Sequence, residues 1–260
     1  MAKTCHLAGA GLHSGDPVQV QIEPSESGIH FCCGQDRIKA ISQNVSDTSR
    51  CTRLGTISTI EHVMSALAGL AITDADIILT ANELPALSGG SDDYVRELSA
   101  AGTETIGKAE FSLFERVFFV EGDVRVGISK GEGHWRYDFE CGDRWPHSQF
   151  YECRLNSQLY SDDIAPSRTF AFEEEVEPLL KAGLAKGLNL ETALIIGQQG
   201  YNNQAKWPDE PARHKILDLI GDLYLAGVPP HLLNVVGVRS GHRTNVAAAL
   251  RLSEHIKLSY

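Results

Sequence analysis

The stretch RHKILDLIGDLYLAG, residues 213–227, places an imidazole, an amine and two carboxylates on one edge of an apolar helix. Ile216, Leu219, Ile220, Leu223 and Tyr224 recur at the i, i+3, i+4 spacing of a buried stripe. His214, Lys215, Asp218 and Asp222 fall within about 100° of rotation at 3.6 residues per turn. His214 and Asp218, four residues apart, stand on adjacent turns with Cβ atoms about 6 Å apart. An imidazole nitrogen and a carboxylate oxygen so placed can converge on one cation at ~2.0–2.2 Å, the distance zinc prefers. A solvated helix face shows the same pattern, so this helix alone leaves both readings open.

Three further stretches carry groups of the same kind. In STIEHVMSALAGLAI, Glu61 puts a carboxylate beside His62, which lies about 200° around the helix from Ile60 and off the Ile60, Met64, Leu67 stripe. An acid at a positive helix N-terminus followed by an exposed histidine is the plain alternative. In RSGHRTN, His242 follows an apolar strand and precedes a helix, a position from which loops present catalytic groups. In SRTF, Thr169 sits late in a strand, where threonine is by default a β-former.

The elements that must hold these residues follow from local pattern. Ser58 and Glu61 have the spacing of a capping box, which predicts a helix starting near residue 59. VQVQIEP alternates as a strand after the turn residues of GLHSGDP, and DADIILT reads as a second strand. SDDYVRELSAAG is a helix closed by Gly102. The polar run GTETIGK, residues 102–108, reads as a linker and divides the chain into residues 1–106 and 107–260. The second part offers strands RVFFVEG and VRVGISK, then SRTFAF, the helix EEEVEPLLKAGLA and the strand TALIIG. The 213–227 helix, the strand LLNVVGVR and the helix NVAAALRLSEHI complete it. Strands, helix, strand and helix, twice over, predict an α+β protein of two similar modules.

Composition narrows the function. A net charge of −11 over 260 residues argues against an extended nucleic-acid surface, which needs clustered Lys and Arg. Six cysteines without a C-x-x-C pair imply reduced thiols and a cytoplasmic location. The first residues contain no apolar signal-peptide core, and no run approaches the ~20 apolar residues of a membrane span.

Taken together and in order, GLHSGDPV, STIEHVMSALAGL, SRTFAF, RHKILDLIGDLYLAG and RSGH resemble the UDP-3-O-acyl-N-acetylglucosamine deacetylases, the zinc amidases of lipid A biosynthesis. The resemblance implies two α+β domains with their helices packed between two sheets. It implies zinc held by His62, His214 and Asp218, with the fourth position open to water as a catalytic site requires. Glu61 matches the general base and Thr169 an oxyanion donor. The leaving amine takes its proton from Glu61 or from His242, and Asp222 matches the carboxylate that orients His242. Lys215 and Arg239 match contacts to the nucleotide end of the substrate, and Phe170 a neighbour of the acetyl group. The implied partner is an acylated UDP-amino-sugar, met by peripheral contact with the inner membrane.

Some positions depart from the family pattern. Ser88 stands where an acid is usual, Leu188 and Asn189 where glycine and serine are, Pro211 where an aromatic is, and Arg239 where a lysine is. The chain is also shorter than typical members. These departures leave two alternatives: a related zinc deacetylase for another N-acetylated sugar, and a catalytically silent ligand-binding relative.

Overall fold

The computed structural model describes residues 1–105, 110–113 and 115–259. The first half runs through β1 (Cys5–Ala10), β2 (Pro17–Pro24), β3 (Ile29–Cys33) and β4 (Asp36–Lys39). A small hairpin, β5 (Val45–Asp47) and β6 (Arg53–Leu54), leads to α1 (Glu61–Gly69), β7 (Ala75–Leu79) and α2 (Asp92–Ala101). The second half holds β8 (Glu110–Leu113), β9 (Val117–Glu121), β10 (Val124–Lys130), β11 (His134–Glu140) and β12 (Ser148–Arg154). It continues with the single turn α3 (Ser157–Leu159), then β13 (Thr169–Phe172), α4 (Glu173–Lys181) and β14 (Ala193–Ile196). The chain closes with α5 (Glu210–Leu223), β15 (Leu233–Val238), α6 (His242–His255) and β16 (Ile256–Ser259).

Each half builds one five-stranded sheet, and the two have the same topology. The first is ordered β1-β2-β7-β3-β4 and the second β9-β10-β15-β11-β12. In both, the sheet's last strand in chain order, β7 or β15, inserts between its second and third. It pairs antiparallel with the former and parallel with the latter. The repetition expected from element order is therefore present in the strand pairing.

Alternation fixes which side of each sheet faces inward. Along β2, Val18, Val20 and Ile22 are buried while Pro17 and Gln19 face out, as a period of two demands. Helix α2 lies against β1 of the first sheet and against α1, and α5 and α6 lie against the second sheet. The helical layers meet where α1 packs on α5, so the helices fill the space between the sheets. That contact is close because glycine permits it. A methyl group added at Gly221 would overlap the carbonyl oxygen of Glu61, and one at Gly69 would overlap the ring of Tyr160.

Several local expectations are corrected. The capping box does not form: α1 begins at Glu61, and its N-cap, Ile60, makes no side-chain cap. Ser58 Oγ instead accepts from Arg53 Nε at 2.9 Å, and the Glu61 carboxylate accepts from Thr52 N. Thr59, at φ 63°, turns the chain sharply before the helix. Thr169 opens β13 rather than lying late in a strand, and His242 is the first residue of α6 rather than its predecessor. The 213–227 helix begins earlier, at Glu210, and its last turn tightens into a 3-10 turn ended by left-handed Gly227. Residues 102–105 of the expected linker carry no helix or strand; residues 106–108, and with them the boundary at 106/107, lie outside the described residues.

The largest difference concerns α5. It is not a surface helix with a wet edge: His214, Asp218 and Asp222 are as buried as Ile216, Leu219 and Ile220. Buried charges need partners: Asp218 accepts from Lys215 on its own helix, His214 bonds to the Ser167 carbonyl, and Asp222 accepts from Asn245 and, from the first half, Thr52.

Candidate metal centre and catalytic cleft

Three ligand-type side chains from two helices converge between the sheets. His62, the second residue of α1, and His214 and Asp218 of α5 bring one ligand atom each to within 4.8 Å of the others. His62 Nε2 lies 3.8 Å and His214 Nε2 3.5 Å from the same oxygen, Asp218 Oδ1. The two imidazoles meet edge to face, with ring centroids 5.2 Å apart. His214 Nδ1 donates to the Ser167 carbonyl at 3.1 Å, which leaves the Nε2 lone pair facing Asp218.

Whether this donor set suits a metal is decided by one atom. Asp218 Oδ1 is buried and has no hydrogen-bond partner, although Oδ2 accepts from Lys215 Nζ at 2.8 Å. A buried carboxylate oxygen without a donor is costly, and here it faces two imidazole nitrogens that offer lone pairs rather than protons. Burial, and then the neighbouring His214, push the His62 pKa down to about 3, and burial lowers that of His214 too. Burial works against the Asp218 charge, but Lys215 and the imidazoles outweigh it and hold the carboxyl well below its usual range. Two neutral imidazoles and one carboxylate are a zinc-type ligand set.

Two titratable side chains, Glu61 and His242, flank the three ligand-type groups. Glu61, first in α1, is buried, and its Oε2 accepts from Thr52 N at 2.9 Å. Burial raises its pKa to about 7; His242 opposes that rise and Asp222 adds to it. His242 Nε2 stands 3.8 Å from Glu61 Oε1 across the cleft, and its Nδ1 lies 3.0 Å from Asp222 Oδ2. Burial disfavours the imidazolium, yet the carboxylates of Asp222 and Glu61 prevail and lift the pKa to about 9. Asp222 is satisfied throughout: Oδ2 also accepts from Asn245 Nδ2 at 3.0 Å, and Oδ1 from the Thr52 hydroxyl at 2.5 Å.

A turn of the first half and an ion pair of the second hold the segment beside the site in place. In the turn after Ser88, Gly90 has no room for a side chain, because a methyl there would overlap the carbonyl oxygens of Ala165 and Ser167. Ser91 N donates to Ala165 O at 2.7 Å, Thr169 N to Gly89 O at 2.8 Å, and Ser91 Oγ to the His62 carbonyl at 2.8 Å. This turn therefore anchors the 165–169 segment that carries both Thr169 and the carbonyl orienting His214. From the other side, Arg168 forms a buried ion pair with Glu210 at the start of α5, Nε to Oε1 at 2.8 Å. Remaining donors are spent on the Glu191 and Gln204 carbonyls, and Lys206 N completes Glu210 at 2.7 Å. Burial alone would raise the Glu210 pKa; Arg168 and the backbone donors bring it below the usual range.

A cleft of about 540 Å³ opens over these groups. Glu61, His62, Thr169, Phe170, His214, Lys215, Asp218, Arg239 and His242 all line it, and Asp222 supports His242 from behind. Phe170 packs edge-on against Phe139 and His214 with centroids 5.3 and 6.0 Å away. Lys215 is committed to Asp218 as well as facing the cleft, and Arg239 Nη1 lies 3.9 Å from both Asp123 and Glu140. Ser88, Leu188, Asn189 and Pro211 do not line the cleft. Ser88 bonds to Asp92 and Asp93 at the start of α2, Asn189 bonds within its own turn, and Pro211 is buried in the first turn of α5.

Thr52, Asn245, Arg168, Glu210 and His13 were not singled out from the sequence. Asn245 follows His242 by three residues and so shares its helix face, which was a usable signal. Glu210 carries a weaker one, an acid before proline at a helix start. Thr52 had none. His13 lines the cleft mouth, held there by Glu83, whose carboxylate accepts from the backbone N–H of His13 and Ser14 at 2.8 and 2.9 Å.

Comparison with known proteins returns one family. The family model described as UDP-3-O-acyl N-acetylglycosamine deacetylase matches residues 1–254. Relatives named UDP-3-O-acyl-N-acetylglucosamine deacetylase include one from Geobacter sp. (strain M21), 34% identical over 92% of this chain and 83% of its own length. One from Anaeromyxobacter sp. (strain Fw109-5) is 33% identical over 95% of this chain and 85% of its own. One from Nostoc sp. (strain PCC 7120) is 32% identical over 97% of this chain and 96% of its own.

Proposed function

Because the chain belongs to the UDP-3-O-acyl N-acetylglycosamine deacetylase family, we propose that it hydrolyses the acetamide of UDP-3-O-acyl-N-acetylglucosamine with zinc held by His62, His214 and Asp218. The observation that carries the metal assignment is the partnerless buried Oδ1 of Asp218, facing two imidazole nitrogens that the fold keeps neutral.

When bound, zinc supplies Lewis acidity that polarises the acetamide carbonyl and acidifies water. Glu61, unprotonated and fixed by Thr52 N, takes the proton of the attacking water. The Thr169 hydroxyl donates to the oxyanion as the carbonyl carbon becomes tetrahedral, where a preplaced donor is worth most. His242, protonated on both nitrogens, gives its Nε2 proton to the amine as the C–N bond breaks. Acetate and the free amine leave. Asp222 keeps His242 charged and turned toward the cleft. Phe170 walls the acetyl end, while Arg239 and Lys215 face the diphosphate. Lys215 also neutralises the outer oxygen of Asp218, so its substitution affects metal and nucleotide together.

No helix among the described residues is long and apolar enough to cross a membrane. We place the enzyme in the cytoplasm, with peripheral contact with the inner membrane, where an acylated substrate partitions. This role belongs to lipid A biosynthesis.

The test is acetate release from the acylated UDP sugar by purified protein, with metal content measured alongside. One zinc per chain, turnover abolished by a chelator and restored by zinc, and loss of both metal and activity in His214→Ala are expected. A folded His214→Ala protein with full zinc and full turnover would end the assignment.

A further inference from the structure

We propose that Thr52 is a positioning residue that sets both proton-handling groups at once, holding Glu61 through its backbone N–H and Asp222, hence His242, through its hydroxyl. The proposal rests on the amidase reading above. Thr52, in the connection between β5 and β6, is fully buried, and each of its polar atoms is hydrogen-bonded at or beside the site. Its N–H donates to Glu61 Oε2 at 2.9 Å. Its carbonyl accepts from Ile60 N at 3.2 Å, one residue before Glu61. Its hydroxyl donates to Asp222 Oδ1 at 2.5 Å, across 170 residues of sequence.

The geometry gives each bond a separate task. Fixing Oε2 of Glu61 leaves Oε1 as the oxygen turned to His242 Nε2, 3.8 Å away. Fixing Oδ1 of Asp222 leaves Oδ2 for His242 Nδ1 and Asn245 Nδ2, both at 3.0 Å. Without the hydroxyl, Oδ1 becomes a buried acceptor with no donor, and the carboxylate can turn away from His242 or take up a proton. Thr52 lies in the first half and Asp222 and His242 in the second. One side chain therefore keeps the base of one half in register with the acid of the other.

The experiment uses the zinc-loaded full chain and Thr52→Val, which keeps the shape and deletes the hydroxyl while every variant keeps the N–H. The expected result is a kcat lower by about 10–100-fold, the cost typical of losing an outer-shell hydrogen-bond partner, with KM and zinc content unchanged. Thr52→Ser restores kcat to within a few-fold. In a His242→Gln background Thr52→Val costs nothing more, because the two act as one unit. The Nδ1 proton resonance of His242 shifts in Thr52→Val and returns in Thr52→Ser. A Thr52→Val enzyme with kcat within twofold of wild type overturns the proposal, as does an equal cost in the His242→Gln background. Thr52→Ala is prepared in parallel, and loss of folding or of zinc in both Val and Ala variants overturns it too, by making the hydroxyl a structural group. An inactive wild type brings down the amidase reading itself, whereas an active wild type with an indifferent Thr52→Val removes this inference alone.

Discussion

Glu61 and His242 face each other at 3.8 Å with pKa values displaced upward for opposite reasons. Glu61 rises because burial penalises its charge; His242 rises because carboxylates reward its charge against burial. The rate therefore depends on pH from both sides. kcat/KM climbs as Glu61 loses its proton, with a midpoint at or below about 7, since a bound cation favours the carboxylate. It falls as His242 loses its proton near 9. Glu61→Gln is expected to cost about 10²–10⁴-fold in kcat, the usual worth of a general base. Asp222→Asn removes the charge that sustains the imidazolium, so the alkaline midpoint moves below 9 in a pH-rate profile; a profile unchanged by Asp222→Asn would refute that coupling. The facing of His214 and Asp218 was legible in the sequence because i, i+4 spacing is a geometric statement. The partners of the neighbouring acids were not: Thr52 is an ordinary threonine until the chain folds it beside Asp222, 170 residues away in sequence.

At the scale of the element, α5 shows why periodicity misjudged burial. Its apolar stripe and polar edge describe a surface helix, yet both sides are covered, one by the second sheet and the other by α1. A second helix carrying its own polar groups cannot be seen from the pattern of the first. Gly221 is the point of closest approach, and there glycine costs helix propensity of about 1 kcal/mol relative to alanine. Gly221→Ala should nevertheless destabilise, by about 1–3 kcal/mol as overpacking does, because the added methyl meets the backbone oxygen of Glu61, which has no rotamer to escape into. Lower urea midpoint and reduced zinc occupancy are the readouts; a gain in stability would show that the helices can part at no cost. Strands β2, β7, β10 and β15 were legible for the opposite reason, since alternation needs only one covered face and each has one; β1, β3, β4, β11 and β12 were not singled out.

Across the whole molecule, the same strand order occurs twice, and we read the halves as two domains divided near residue 106. Between them lies the candidate metal site, with His62 from the first half's α1 and His214 and Asp218 from the corresponding α5 of the second. A ligand that binds only the folded arrangement stabilises it by mass action, about 2.7 kcal/mol at a hundred times its dissociation constant. Zinc should accordingly raise the melting temperature of the stripped protein, and chelation should speed amide hydrogen exchange in α1 and α5 together. A melting temperature indifferent to zinc would contradict a site shared by both halves. The two-fold repetition was suggested by element order alone. That the repeats had diverged into complementary roles was not, since it depends on which equivalent helix kept which side chains.

The shared cleft has a consequence for any attempt to take the protein apart. On the proposed assignment neither half owns a complete centre: the first holds Glu61 and His62, the second His214, Asp218 and His242. Polypeptides cut in the 102–108 stretch and produced separately should each be inert, while their mixture regains turnover in proportion to the product of their concentrations. Catalysis in this fold is then a measure of association, and the enzyme behaves as a heterodimer whose subunits happen to be joined by a tether.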